Sequence, residues 1–320
     1  MALVVIEHQD GRPDELSLQA IALARTIAGE GSLEALLVGP GGEAAAKELG
    51  AHGMTTAHVT EDDRLGSYAP AAWARCVTEV AERTQPKAVV AAGSNRGNEV
   101  MAHVGARLDL PFAANCTKAT QDGTMTRVRW GGSLLEEARI HGSPLLLSSA
   151  PHAVQAATVN GADAPSVERL EPALDEADLV VQVQERVEAE TKGISLAEAK
   201  VVISGGRGVG SADGFAVLEE LAGLLNAAVG CSRVVTMAGW RPHTDQVGQT
   251  GTKVSPDLYI ACGISGATQH IAGCKGAKKI LAINSDAEAP ILNNADYAVI
   301  GDLAEVVPAI TAELRKAQSP

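Results

Sequence analysis

A chain of 320 residues is long enough for two domains of ordinary size. Apolar residues make up 46% of it but aromatics only 2%, so the core must be built from Ala, Val, Leu and Ile, as where helices pack on a parallel sheet. A net charge of −13 argues against nucleic acid as a partner, which needs a basic face, and permits docking on a basic protein surface. Cys76, Cys116, Cys231, Cys262 and Cys274 are scattered and never form a Cys-x-x-Cys pair, so neither a disulfide framework nor a zinc site follows. They read as buried thiols in a reducing compartment. The opening run Ala2-Leu3-Val4-Val5-Ile6 is too short for a signal sequence, and no apolar run approaches membrane-spanning length. A soluble cytoplasmic protein without direct membrane insertion is expected.

In chain order, residues 3–6 predict a buried strand, and Leu16, Ala20, Leu23 and Ile27 place a helix over 16–28. A strand follows at 33–38, stopped by Gly39-Pro40-Gly41-Gly42, then a short helix at 44–49 and a longer one at 68–83. Residues 87–92 predict a third strand, ending in the polar loop Gly93-Ser94-Asn95-Arg96-Gly97-Asn98, with a helix over 99–108. This alternation predicts a parallel, doubly wound sheet, with ligands placed beyond the carboxyl ends of its strands. From 113 to 187 the pattern changes to short strands, expected at 124–130, 144–149, 154–159 and 179–183. Arg127, Arg129, Arg139 and His141 form a basic cluster there, read as solvated strand faces before a partner contact. The charged stretch 185–200 reads as an interdomain linker.

A second alternating unit begins with a strand at 200–204, the loop Gly205-Gly206-Arg207-Gly208-Val209-Gly210 and a helix over 213–225. Further strands are expected at 258–262, 279–283 and 297–300, and a last helix over 303–316. The loop Gln246-Val247-Gly248-Gln249-Thr250-Gly251 precedes the strand Leu258-Tyr259-Ile260-Ala261-Cys262. That strand runs into Gly263-Ile264-Ser265-Gly266-Ala267-Thr268-Gln269-His270. A strand turning through glycine into a helix offers unpaired backbone N–H groups to an anion, with Ser265 as cap or ligand. The Gly205–Gly210 loop is not a nicotinamide-dinucleotide fingerprint. From Gly206 the third glycine position falls on Ser211, and the acids downstream, Glu219 and Glu220, lie inside a helix. With Arg207 it still suits a diphosphate. A hydrolase built on Ser265, His270 and Asp302 is disfavoured, because the turn lacks the Gly-x-Ser-x-Gly elbow and His270 follows Ser265 on one helix.

Ser232-Arg233, Ala238-Gly239-Trp240, the Gln-Val-Gly-Gln-Thr-Gly loop, the Gly-Ile-Ser-Gly turn with Gln269-His270, Ile283-Asn284, Ala289-Pro290-Ile291, Ala295-Asp296-Tyr297 and Gly301-Asp302-Leu303 stand in one order and spacing. In these motifs the chain resembles the electron transfer flavoprotein alpha-subunit family, most specifically from 201 to 314. The resemblance implies two α/β domains: an N-terminal doubly wound domain, adenine-nucleotide alpha-hydrolase-like (1–190), and a C-terminal Rossmann-like parallel-sheet domain (200–320) that binds FAD, with a linker at 191–199. It implies that Ser232 and Arg233 lie beside the isoalloxazine, while Val247, Gly248, Gln249 and Thr250 wrap its edge with Thr250 near N5. Ser265, Gly266, Ala267, Thr268, Gln269 and His270 would hold the ribityl and phosphate region, His270 reaching the pyrimidine end. Arg207 would meet the diphosphate, and Asn284, Asp302 and Leu303 the adenosine half. Arg233 and His270 would then stabilise the negative charge of the reduced ring. The sequence departs from the family pattern at Met237, Thr268 and Cys274.

The resemblance further implies a beta subunit as heterodimer partner, flavin dehydrogenases such as acyl-CoA dehydrogenases as donors and a membrane quinone reductase as acceptor. It also implies a place in fatty acid oxidation. No residue reads as a proton-abstracting base, so a carrier rather than an enzyme is expected. The family does not place its flavin at the Gly93–Asn98 loop, which therefore reads as a subunit contact or vestigial nucleotide corner. Alternatives are a bifurcating flavoprotein using NADH and a second FAD, a nicotinamide-dependent oxidoreductase, and an adenine-nucleotide-binding regulatory module.

Overall fold

The computed structural model describes residues 1–130, 134–159, 163–184 and 194–318. The chain divides into two compact units, Met1–Arg186 and Val187–Pro320. In the first, β1 (Ala2–Ile6) leads to a short antiparallel pair, β2 (His8–Gln9) and β3 (Arg12–Pro13), and then to α1 (Glu15–Ala28), capped by the Asp14 carboxylate on the Leu16 N–H. There follow β4 (Leu33–Val38), α2 (Gly42–Ala46), β5 (Thr56–Thr60), α3 (Pro70–Thr84), β6 (Ala88–Ala92) and α4 (Asn95–Leu108). Strands β7 (Phe112–Ala119), β8 (Thr124–Arg129), β9 (Leu134–Arg139), β10 (Leu145–Ser149) and β11 (Ser166–Arg169) complete it.

These strands form one sheet in the order β11-β5-β4-β1-β6-β10-β7-β8-β9. Pairs from β11 to β7 are parallel, and β7-β8-β9 is an antiparallel meander. Strand residues alternate between two cores. Ala2, Val4 and Ile6 pack with α1 through Ala20, Leu23 and Ile27, while Leu3 and Val5 pack with Trp73, Val77 and Val80 of α3 and Met101 of α4. Helices on both faces explain why β1, β4 and β6 read as unbroken apolar runs.

The second unit has β12 (Val201–Gly205), α5 (Ala216–Leu225), β13 (Ala228–Cys231), α6 (Arg233–Met237), β14 (Leu258–Cys262), α7 (Thr268–Cys274), β15 (Ile280–Asn284), β16 (Tyr297–Ile300) and α8 (Leu303–Gln318). Its sheet, β13-β12-β14-β15-β16, is parallel throughout. Val202, Tyr259 and Ala261 face one core, and Ile203, Ile260 and Cys262 the other.

Several expectations are corrected. The Gly93–Asn98 loop is mostly helix: α4 begins at Asn95, with the Ser94 hydroxyl accepting from the Gly97 N–H at 2.8 Å. Residues 154–159 and 179–183 form no strand, since the free edge of β5 is taken by β11 and 176–179 is a short 3-10 turn. Strands β5, β7, β9, β11 and β13 carry no clear apolar run and were not anticipated; the ladder with their neighbours forms them. The basic cluster is neutralised locally, Arg127 and Arg129 by Glu136 and Arg139 by Asp122. Of the expected linker, 191–193 lies outside the described residues, while Leu196 and Ala199 pack in the core of the second unit. All five cysteines are free and buried, and burial pushes each thiol up to about 12. No helix among the described residues is long and apolar enough to cross a membrane.

Candidate functional site

Because all five strands of the second sheet run parallel, their carboxyl ends fall on one edge, and the sequence-predicted residues collect there. The chain leaves β12 into a 3-10 turn, Arg207–Val209. The Gly206 N–H donates to the Cys262 carbonyl at 2.8 Å and the Gly208 N–H to that of Gly263 at 3.0 Å, joining the β12 and β14 loops back to back. A Cβ at Gly206 would run into the Gly263 carbonyl, so only glycine allows this approach. Ser232 and Arg233 follow β13, with the Ser232 N–H on the Gly205 carbonyl at 2.9 Å.

The Gln-Val-Gly-Gln-Thr-Gly loop is docked at two points. The Val247 N–H donates to the Cys231 carbonyl at 2.9 Å, and the Gln249 N–H to the Gln269 carbonyl at 2.7 Å. Thr250 is set by a residue that sequence reasoning did not assign to the site. Gln246, 2% exposed, donates from its amide to the Thr250 hydroxyl at 3.0 Å and accepts from the Thr236 hydroxyl at 2.8 Å. The signal was its position at the head of the motif.

Ser265 does not cap α7, which opens later, at Thr268 behind Ala267. Its side chain stays exposed while its carbonyl accepts from Ile291 N–H at 3.0 Å. Ala267, Thr268 and Gln269 are exposed and Gly266 is buried against the Ile291 backbone. His270 is buried, and its Nε2 shares a 2.8 Å hydrogen bond with the hydroxyl of Tyr259, a partner the sequence reading did not foresee. Burial pulls the imidazole down to about 4, opposed by the nearby Val247 carbonyl, which Nδ1 faces without completing a hydrogen bond. His270 is therefore a neutral group near neutral pH.

Asn284 is also buried, with its amide donating to the Ile264 carbonyl at 2.9 Å and its oxygen accepting from the Asp286 N–H at 3.0 Å. Asp302 caps α8 through the Ala304 N–H at 2.9 Å, and Leu303 lies in the core. Asn284 and Leu303 thus help to hold the fold. His270 bonds Tyr259 and Asp302 caps α8, and among the described residues no hydrogen bond links Ser265, His270 and Asp302 as a hydrolytic relay.

Electrostatically, Arg207 and Arg233 differ from their neighbours. Arg241 pairs with Glu219 and Asp245, Lys278 with Asp257 and Lys279 with Asp296. Arg207 and Arg233 are exposed and, among the described residues, make no ion pair. Two uncommitted guanidinium groups on a glycine-lined edge fit a diphosphate and an electron-rich ring.

Residues 195–275 match the family model described as the electron transfer flavoprotein FAD-binding domain, and residues 2–175 the electron transfer flavoprotein domain. The cofactor of such a domain is FAD. The match covers Arg207 to His270 and stops short of Asn284, Asp302 and Leu303. Electron transfer flavoprotein subunit alpha of Bacillus subtilis is 36% identical over 98% of this chain and 97% of its own length. The protein of that name from Syntrophomonas wolfei is 35% identical over 98% of each chain, and the one from Mycobacterium leprae 37% identical over 97% of this chain and 96% of its own. The chain belongs to the electron transfer flavoprotein alpha-subunit family. Among solved structures, a protein described as a thiamin diphosphate-dependent enzyme from Mycobacterium smegmatis aligns at 15% identity with a TM-score of 0.25. The chain spans 59% of that protein's length, a likeness too slight to carry an argument.

Proposed function

We propose that the chain is the FAD-bearing subunit of a heterodimer with a beta subunit. It would carry electrons from flavin dehydrogenases, such as acyl-CoA dehydrogenases, towards a membrane quinone reductase. The observation that carries this reading is the edge of the second sheet, where backbone bonds lock the loops together and Arg207 and Arg233 are exposed and, among the described residues, make no ion pair. FAD supplies the redox chemistry, taking up and releasing electrons singly or in pairs. Arg207, with the Gly206–Gly208 backbone, would hold the diphosphate, and Ser265 to Gln269 the ribityl and phosphate region. Ser232 and Arg233 would lie beside the ring and Val247 to Thr250 along its edge, Thr250 oriented by Gln246. Arg233 provides a fixed positive charge for the reduced ring, while neutral His270 contributes hydrogen bonding and shape. Asn284, Asp302 and Leu303 would border the adenosine half, the first and last through the backbone they position.

The carrier reading rests on the electron transfer flavoprotein relatives. The buried thiols fit a reducing compartment such as the cytoplasm. The absorption spectrum and extracted cofactors of the protein co-purified with its beta subunit test the reading. One FAD per heterodimer supports it, two favour the bifurcating alternative, and a flavin-free protein refutes it.

A further inference from the structure

Gln246 is buried, and among the described residues the hydrogen bonds of its side-chain amide run to threonine hydroxyls. On one side Nε2 donates to Thr250 Oγ1 at 3.0 Å, and on the other Oε1 accepts from Thr236 Oγ1 at 2.8 Å. The backbone is pinned. Its N–H donates to the His243 carbonyl at 3.0 Å, and its carbonyl accepts from the Thr252 N–H at 2.7 Å. The amide plane at the end of the side chain can still turn, and half a revolution exchanges a nitrogen and an oxygen of nearly equal size.

A second contact gives the turned arrangement its partners. Thr236 Oγ1 lies within hydrogen-bond distance of the Arg233 carbonyl, at 2.9 Å, as well as of Gln246 Oε1, yet a hydroxyl has a single hydrogen to donate. When that hydrogen goes to Gln246 Oε1, Gln246 Nε2 donates to Thr250, whose own hydrogen is left to point outward. When it goes to the Arg233 carbonyl, Thr236 Oγ1 becomes an acceptor for Gln246 Nε2. Thr250 then gives its hydrogen to Gln246 Oε1 and offers a lone pair outward. Both arrangements pair the nitrogen and the oxygen of the buried amide without water. Thr250 itself is exposed, so whichever group it offers is available to a ligand.

We propose that Gln246 is a positioning residue with two settings, presenting Thr250 to the cofactor as a hydrogen-bond donor in one and as an acceptor in the other. The inference rests on the flavin reading above, in which Thr250 lies near ring N5. That nitrogen is an acceptor in oxidised FAD and carries a hydrogen once FAD is fully reduced. The donor setting therefore suits the oxidised ring and the acceptor setting the reduced one. Along the relay from Arg233 through Thr236 and Gln246 to Thr250, every hydroxyl and amide keeps its own hydrogens. The electrons come from the reductant and the proton on the ring from solvent.

Infrared difference spectra between the oxidised and the dithionite-reduced protein test this, recorded on the full-length chain co-purified with its beta subunit. Glutamine carrying carbon-13 at the side-chain carbonyl marks the bands of interest, and flavin absorbance reports the FAD content of each sample. A label-sensitive carbonyl pair should appear on reduction in wild type and be lost in Gln246→Met. In Thr236→Val the oxidised member alone should move to higher frequency, because its carbonyl loses the hydroxyl donor, and Thr236→Ser should restore it. In Thr250→Val the pair should vanish, since no hydroxyl then links the amide to the ring. A Gln246 that merely holds the loop gives the same carbonyl signal in both states and leaves no pair. In FAD-loaded protein, absence of the pair from wild type, or its survival in Gln246→Met, overturns the proposal and leaves the flavin reading standing. A protein that takes up no FAD overturns both.

Discussion

His270 makes the second unit acid-sensitive in a way that can be isolated. In the folded protein its imidazole titrates at about 4, against an ordinary 6.5, because burial penalises the charged form. The unfolded chain therefore binds the extra proton first as pH falls. The sign follows: stability tied to neutral His270 is complete above pH 6.5, declines from there towards pH 4, and is gone below it. A difference of that size amounts to about 3 kcal/mol at about 1.4 kcal/mol per pH unit. His270→Gln keeps a polar side chain near Tyr259 but cannot titrate. Urea unfolding of the FAD-loaded protein, followed by flavin release, should be run for both proteins from pH 8 to pH 4. At pH 8 the variant should be less stable by roughly 1 kcal/mol, the net worth of a hydrogen bond. Below pH 6.5 the gap should narrow and then invert, as wild type alone pays the protonation penalty. Carboxylates and His8 titrate alike in both proteins and cancel. Parallel curves throughout would refute the reasoning and show that His270 is charged or solvated in the folded protein.

Arg233→Ala should keep FAD but lower its first one-electron potential by roughly 60–130 mV, from about 1.5–3 kcal/mol for a hydrogen bond to a charged group. Spectroelectrochemical titration reads this, and His270→Gln should move the potential less, since it removes no charge. The chain should sediment as a heterodimer with its beta subunit across an interface of about 1,200–2,000 Å² or more; a well-behaved FAD-loaded monomer that ignores the partner counts against this. Residues 194–320 should retain some FAD affinity in equilibrium dialysis, and residues 1–190 none. The Asp178 carboxylate is buried, a cost offset by hydrogen bonds from the Asp175 N–H, Arg75 and Arg107 that hold it below the usual carboxylate range. Asp178→Ala should free the 175–184 stretch from α3 and α4, and faster cleavage there under limited proteolysis checks it.

What the sequence alone determined was whatever rests on local chemistry. Continuous apolar runs specify β1, β4, β6, β12 and β14, because a strand covered on both faces has no polar side to show. Glycine spacing located the turns after β12 and β14, where a Cβ at Gly206 has no room. The order of motifs from Ser232 to Leu303 was enough to indicate the family, which the alignments then established. What only the tertiary structure decided depends on partners distant in sequence. The exposed strand β11 exists because β5 offers it a ladder, while the more apolar 154–159 has none. Gln246 gains its role by meeting Thr236 and Thr250 at once. His270 is neutral because folding buries it against Tyr259, and its charge state is a property of that environment, which no residue letter encodes.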